Sequence, residues 1–180
     1  MQLIAFKGMP GTGKSTLARA LARELCWPLL DKDDIKDVLD QSIPESGGLA
    51  YETLFSLVRR QTLLGLDVIC DSPLTFERSY RQLRKIVAET NAILLIIESR
   101  CADEHVWQER IDARKALNLP GHHQTDWQAF QTYRQSMSVQ ASYAITDPHF
   151  IVDTLRPLPE LLSEIRHWLA TYPDPIQHSK

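Results

Sequence analysis

The chain alternates short apolar runs with longer stretches in which apolar residues recur every three or four positions. The short runs are typical of buried strands, and the longer stretches are typical of amphipathic helices. Strands are predicted at residues 3–6, 28–30, 67–70, 92–97 and 149–152. Helices are predicted from about residue 15, over 33–40, up to Gly65, over 77–90 and 103–116, from about 126, and near the C-terminus. This alternation predicts one α/β domain over residues 1–180, with parallel strands joined by crossover helices.

Two of the predicted helices show clear apolar faces. The first carries leucines at intervals of four, namely Leu17, Leu21 and Leu25. The helix that ends at Gly65 is predicted to carry four apolar residues on one face, namely Leu54, Leu57, Val58 and Leu64. Because such faces are buried against a neighbouring layer, we expect both helices to pack on the sheet.

The segment from Gly8 to Ser15 matches the phosphate-loop (Walker A) pattern G-x-x-x-x-G-K-[ST], between a predicted strand and a predicted helix. Gly11 and Gly13 let backbone N–H groups approach phosphate oxygens, and the N-terminus of the helix favours negative charge. Lys14 can reach the β- and γ-phosphates, and the Ser15 hydroxyl can bind Mg²⁺. The predicted nucleotide contacts are Gly8, Met9, Pro10, Gly11, Thr12, Gly13, Lys14, Ser15 and Thr16.

Carboxylates follow two of the predicted strands, at the sheet edge where the phosphate loop also lies. Asp71 ends the third strand, where it could hold Mg²⁺, and it could instead be a helix cap or a loop acid. Asp31, Asp33 and Asp34 follow the second strand. We expect Asp31 to face the metal and Asp33 to act as the general base toward an incoming hydroxyl. The alternative for this group is capping of the helix that follows.

Two arginines mark a candidate lid. Arg110 and Arg114 are four residues apart on one predicted helix, which places them on the same face beside the polar stretch 118–125. Phosphoryl transfer concentrates negative charge that such arginines can stabilise, often from a segment that closes over the site. We therefore expect both to be catalytic, on a lid at about residues 110–127. The alternative is a solvated surface that pairs with Glu109 or Asp112.

Composition narrows the class of function. The net charge is −3, with Lys+Arg 20 against Asp+Glu 23, so no overall charge attracts nucleic acid or anionic membrane. The three cysteines show no C-x-x-C spacing, which predicts neither a disulfide framework nor a zinc site. The first residues lack the features of a secretory signal, and no apolar stretch reaches the about 18 residues that span a bilayer. The expected location is the cytoplasm, and no oligomeric state is indicated.

These motifs together resemble the P-loop kinases of small metabolites and polynucleotide ends, over nearly the whole chain. The group includes shikimate and gluconate kinases, chloramphenicol phosphotransferase, polynucleotide kinase domains and zeta-toxin-like ATPases. The resemblance implies a P-loop NTPase fold of three α/β/α layers, a five-stranded parallel sheet in the order 2-3-1-4-5, and a helical lid. It also implies an acid after the second strand that deprotonates the acceptor and an arginine over the phosphates. The step from Asp153 to Thr154 is similar to a place where such kinases approach adenine.

The resemblance leaves the acceptor open. The pattern Asp31-x-Asp33 is similar to shikimate kinases, whereas Asp33-Asp34 with Lys36 is closer to polynucleotide kinases, in which an arginine is usual at that position. The leading hypothesis is Mg²⁺-dependent transfer of the γ-phosphoryl group of ATP to a small-molecule hydroxyl. The alternatives are a polynucleotide 5′-hydroxyl kinase, which requires a basic channel, and a non-kinase ATPase or nucleotide switch. A deep cavity between the helix after Asp33 and the lid would favour a kinase over a switch.

Overall fold

A computed structural model describes residues 1–117, 125–137 and 142–172 of the chain. In these residues the strands are β1 (Gln2–Lys7), β2 (Leu29–Asp31), β3 (Val68–Asp71), β4 (Ile93–Arg100) and β5 (His149–Asp153). The helices there are α1 (Lys14–Leu25), α2 (Lys32–Leu39), α3 (Gly47–Leu63), α4 (Glu77–Thr90), α5 (Glu104–Leu117), α6 (Trp127–Met137) and α7 (Leu158–Ala170). Every predicted strand and helix is present, and β4 extends three residues beyond its predicted end.

All five strands are parallel and lie in the order β2-β3-β1-β4-β5, as the resemblance implied. Phe6 of β1 is in register with Asp71 of β3, and Asp71 is in register with Asp31 of β2. The carboxyl ends of these strands therefore meet at one edge, directly beside the loop that follows Lys7. Ligand sites of open parallel sheets lie at this edge.

Helices cover both faces of the sheet, which confirms the three layers. Leu3 and Ala5 of β1 point toward α3 and α4, where they join the core of Leu54, Val58 and Leu83. Ile4 and Phe6 point the other way and pack with residues of α1 and α7, among them Leu17, Leu21, Leu161 and Ile165. The alternation along β1 follows from the two-residue repeat of a strand, and a strand buried on both faces is a continuous apolar run.

The predicted face of α3 was wrong in part. Leu54 and Val58 are buried, but the side chains of Leu57 and Leu64 are 39% and 59% exposed. The buried stripe advances in steps of four, through Ala50, Leu54, Val58 and Thr62, and Leu57 falls outside its edge. Leu64 lies one residue beyond the end of α3, so it does not share the helical face.

Some predicted features fall outside the described residues. These are most of the polar lid stretch, at residues 118–124, and the C-terminal tail from residue 173. In the part of the chain that the structure describes, none of the helices combines the length and the apolar character needed to cross a bilayer.

Candidate active site

The phosphate loop adopts a backbone that only glycine tolerates well at two positions. Gly11 and Gly13 have φ angles of 80° and 81°, in the left-handed region. A Cβ atom on Gly11 would also lie 2.7 Å from Cγ1 of Ile111 on α5. Both glycines therefore serve the turn itself, and Gly11 also allows the close approach of α5 to the loop.

Three hydrogen bonds hold this loop in place. The Thr12 hydroxyl lies 2.8 Å from both the Met9 carbonyl oxygen and the hydroxyl of Ser99 at the end of β4. The indole Nε1 of Trp107 donates to the Pro10 carbonyl at 2.7 Å. These bonds tie the loop to β4 on one side and to α5 on the other.

Lys14 and Asp71 form the centre of the site. The Lys14 ammonium lies 2.5 Å from Oδ1 of Asp71 and 3.4 Å from the Ser15 hydroxyl. Asp71 is fully buried, and its Oδ2 accepts no hydrogen bond within the described parts of the chain. A buried carboxylate oxygen without a donor is costly unless it binds a cation. The site therefore suits Mg²⁺, with Ser15 and Asp71 as protein ligands.

A metal here would have few protein ligands. Over residues 1–117, 125–137 and 142–172 there is no group of three or more His, Cys, Asp or Glu side chains that could hold a metal ion. Mg²⁺ commonly keeps several waters and binds one or two carboxylates together with substrate phosphates. The arrangement of Ser15 and Asp71 fits that mode of binding.

Asp31 caps helix α2 and is also buried beside Asp71. Its Oδ1 accepts a hydrogen bond from the Asp33 backbone N–H at 2.9 Å, so it caps α2 as the alternative interpretation held. It is also buried beside Asp71, and its Oδ2 lies 3.5 Å from Arg19. Burial and the charge of Asp71 raise the pKa of Asp31 to about 6. Capping and a position near the metal site are therefore compatible.

The acids that follow Asp31 separate into a paired one and an exposed one. The Asp33 carboxylate lies 2.5 Å from the ammonium of Lys32, which is buried and faces the ring of Tyr51. Asp34 points into solvent. Lys36, one turn later, forms an ion pair with Asp40. Of the two acids, only Asp33 is held at the site by a buried partner.

The two lid arginines have different surroundings. The guanidinium of Arg110 donates to the hydroxyl and the carbonyl of Thr154, at 2.8 and 3.0 Å, and the Thr154 hydroxyl donates to the Thr12 carbonyl. Arg114 is within electrostatic range of Asp33, Asp71 and Arg19, and burial lowers its pKa against the pull of the two carboxylates. Arg110 therefore joins α5 to the loop and to the residue that follows β5, whereas Arg114 is within electrostatic range of the acids.

An aromatic cluster fixes α5 and α6 over the loop. Trp107 packs against Trp127 and Phe130, with ring centroids 5.9 and 5.2 Å apart, and Met9 of the loop borders the cluster. Trp107 and Trp127 thus pack between helices. The contact between Trp107 and Pro10 was not predicted, because no local pattern marks it.

A cavity of about 340 Å³ opens beside the loop, on the face of the sheet that α3 and α4 cover. Its wall consists of Lys7, Gly8, Met9, Thr12, Pro73, Leu74, Thr75, Glu98, Ser99, Arg100, Cys101, Trp107 and Arg134. No residue of α2 contributes to it. The cavity thus lies between the loop and α6, and it is not the cavity between α2 and the lid that would favour a kinase over a switch.

Comparisons with known proteins agree with this fold. A family model described as AAA domain, AAA_33, matches residues 3–139. The structure is similar to a proposed kinase from Chloroflexus aurantiacus J-10-fl (TM-score 0.73, 22% identity, 92% of this chain and 97% of that chain). It is also similar to a sugar kinase from Janibacter sp. HTCC2649, with a TM-score of 0.65 and 15% identity over 94% of this chain and 95% of that chain. A gluconokinase from Sinorhizobium meliloti 1021 is similar with a TM-score of 0.60 and 16% identity over 96% of this chain and 98% of that chain. No curated protein sequence matches the chain.

The family match covers well over half of the chain and includes the phosphate loop, Asp71 and both lid arginines. The solved structures are too distant in sequence to show more than the fold. The chain therefore belongs to the AAA-domain family AAA_33, and its fold is that of the P-loop small-molecule kinases.

Proposed function

We propose that the protein transfers the γ-phosphoryl group of ATP to a hydroxyl of a small molecule, with Mg²⁺ as cofactor. The observation that carries this proposal is the contact of Lys14 with the buried Asp71 at the phosphate loop, beneath a helix that packs on the loop and carries Arg114 within electrostatic range of Asp71. Phosphoryl transfer depends mainly on positioning and on neutralising charge on the transferred group. Nucleotide switches also use an arginine over the phosphates, so the acid that favours a kinase is Asp33, which is proposed to accept a proton from an acceptor hydroxyl.

Each side chain then has a defined task. The backbone of residues 8–16 binds the phosphates, and Lys14 neutralises their outer charges. Mg²⁺, held by Ser15 and Asp71 with Asp31 behind them, would neutralise charge on the phosphate oxygens. Arg114 stabilises the charge that develops on the transferred group. Arg110 positions the loop through Thr154.

Asp33 accepts the proton of the acceptor hydroxyl in this proposal. It follows the strand that ends beside Asp71, and its charge reaches Arg114. The pair with Lys32 holds its carboxylate in place. The sugar kinase and the gluconokinase with similar folds favour a hydroxylated small molecule as acceptor over a nucleic-acid end.

A screen with labelled ATP against small hydroxylated metabolites tests the proposal. We expect transfer to at least one acceptor, and Asp33→Asn lowers its rate by about a thousandfold, because general base catalysis contributes 10²–10⁴. Mg·ATP affinity should change less than about twofold. Asp34→Asn is the matched control, one residue later on the same helix and exposed, and it should retain full activity. Absence of transfer to every acceptor, or equal rates for Asp33→Asn and wild type, would contradict the proposal.

A further inference from the structure

The cavity beside the loop has a positive wall. Three cationic side chains line it, those of Lys7, Arg100 and Arg134, and Glu98 is the acid among the wall residues of the described chain. With Glu104, which pairs with Arg134 from outside the wall, the local charge is still positive. A positive, partly enclosed wall attracts an anion because charges interact more strongly away from bulk water.

The negative charge of Glu98 does not prevent the cationic wall from attracting an anion. Its Oε2 lies 2.9 Å from the Lys7 ammonium, and its Oε1 lies 2.7 Å from Nε of Arg100. Burial opposes ionisation of Glu98, but the hydrogen bonds from Lys7 and Arg100 outweigh it and lower the pKa of the carboxyl. With both oxygens bonded, Glu98 orders the two cations instead of presenting an open acceptor to the cavity.

Arg134 is the cation best placed to bind a ligand. Its guanidinium stacks on the ring of Trp107, with the central carbon 4.9 Å from the ring centroid. Its partner is Glu104 at 3.2 Å, and both side chains of this pair are largely exposed. Such surface pairs contribute little free energy, so a ligand can replace Glu104 at small cost. A stacked, planar guanidinium matches a carboxylate or a phosphate in a two-point contact.

The cavity is also connected to the proposed reaction centre. Met9 and Gly8 of the phosphate loop form one wall, and α6 supplies Arg134. A small molecule in the cavity therefore lies against the loop that is proposed to bind the phosphates.

We propose that this cavity binds the anionic group of the phosphoryl acceptor through Arg134, which makes the acceptor a small hydroxylated carboxylate or phosphate ester. The inference rests on the proposed kinase function. The volume of about 340 Å³ suits a small metabolite, and Met9, Leu74 and Trp107 provide apolar contacts to its carbon skeleton.

Methionine NMR with small model anions tests the proposal whichever acceptor the protein uses. The chain has three methionines, Met9 lines the cavity, and Met1 is buried at the start of the sheet as an internal reference. Protein labelled with [methyl-¹³C]methionine and saturated with a non-hydrolysable Mg·ATP analogue is titrated with matched ligands. The carboxylates glycerate and gluconate are each compared with the neutral alcohol of matching skeleton, glycerol and glucitol. The phosphate esters glycerol 3-phosphate and glucitol 6-phosphate are compared with the same two alcohols.

At least one anion should shift the Met9 resonance saturably, with a Kd at least tenfold below that of its neutral partner. The arm that binds more tightly distinguishes a carboxylate from a phosphate. Arg134→Gln should raise this Kd at least tenfold, while Arg81→Gln, which alters an exposed arginine paired with Glu77 on α4, should not. Equal binding of neutral and anionic ligands, no effect of Arg134→Gln, or no Met9 shift with any of the anions overturns the inference. Failure of the kinase function itself would be distinct, since anions would shift Met9 while no hydroxyl in the labelled-ATP screen is phosphorylated.

Discussion

The two sides of the phosphate loop carry opposite kinds of charge. On the α1 side, Asp31 and Asp71 are buried near each other and face Lys14. On the cavity side, Lys7 and Arg100 surround the single acid Glu98. The loop thus separates a region that needs a cation from a region that attracts an anion.

The two sides of the loop differ mainly in how the oxygens of their acids are hydrogen-bonded, and less in how many acids each side has. Glu98 has both oxygens bonded to cations, so it is a structural acid that orders its neighbours. Asp71 is fully buried but has one oxygen that is not hydrogen-bonded in the described part of the chain. An open oxygen on a buried carboxylate is an available ligand, whereas a saturated one is not. Under the proposed function, Mg²⁺ would bind on the α1 side and the anionic group of the acceptor on the cavity side.

Removal of Lys14 should affect this contrast most broadly, because it changes both nucleotide binding and stability. Lys14→Ala removes the cation that faces the phosphates, and we expect Mg·ATP affinity to fall by about a hundredfold or more in calorimetry. It also leaves the buried Asp71 carboxylate unpaired, which should lower the free energy of unfolding by about 3 kcal/mol or more.

A double variant separates these two effects. Lys14→Ala combined with Asp71→Asn removes the buried charge, so most of the lost stability should return. Nucleotide affinity should remain low, because neither substitution restores a cation at the phosphates. If Lys14→Ala alone binds Mg·ATP as tightly as wild type, the loop is not a nucleotide site and the proposed function fails.

The two lid arginines should differ in which kinetic constant they change. Arg114→Ala should lower kcat for the acceptor found in the screen by about a thousandfold, since arginines over a transferred phosphoryl group contribute 10³–10⁵. Arg110→Ala should instead raise KM for ATP by about tenfold and leave kcat within a few fold, because its contacts are to Thr154. Similar losses of kcat in both variants would show that they act together over the phosphates, as their spacing alone suggested.

The outcome for these arginines shows what a sequence can predict. Strands, helices and the phosphate loop follow from local patterns, and all of them are present. The contact of Trp107 with Pro10 joins residues 97 apart, and that of Arg110 with Thr154 joins residues 44 apart. No periodicity encodes such pairs, so the sequence placed both arginines on one face without distinguishing their partners. The cavity was not predicted for the same reason, since its wall combines residues from β1, the phosphate loop, β4, α5, α6 and the loop after β3.

The last expected effect concerns the free-energy cost of ionising Asp31 in the folded state. Burial and Asp71 raise the pKa of Asp31 from 3.8 to about 6, so the folded state resists ionisation of this group. The contribution of Asp31 to stability is therefore complete below pH 4 and is lost as the pH rises through 6. Asp31→Asn removes the charge and retains a good helix cap. In EDTA and without nucleotide, the variant should match wild type near pH 4 and be more stable at pH 7.5 by up to about 3 kcal/mol.

Denaturant unfolding at the two pH values measures this difference. Asp103→Asn is the control, because Asp103 also caps its helix, accepting hydrogen bonds from the N–H groups of His105 and Val106, but is exposed. It should change stability by no more than about 0.5 kcal/mol at either pH. Added Mg·ATP should make wild type more stable than Asp31→Asn at pH 7.5. In wild type the Asp31 carboxylate then lies near a bound cation, whereas the variant has no charge that can interact with it. If Asp31→Asn is no more stable than wild type at pH 7.5, the acids on the α1 side do not repel one another. The contrast between the two sides of the loop is then weaker than the burial of Asp31 and Asp71 implies.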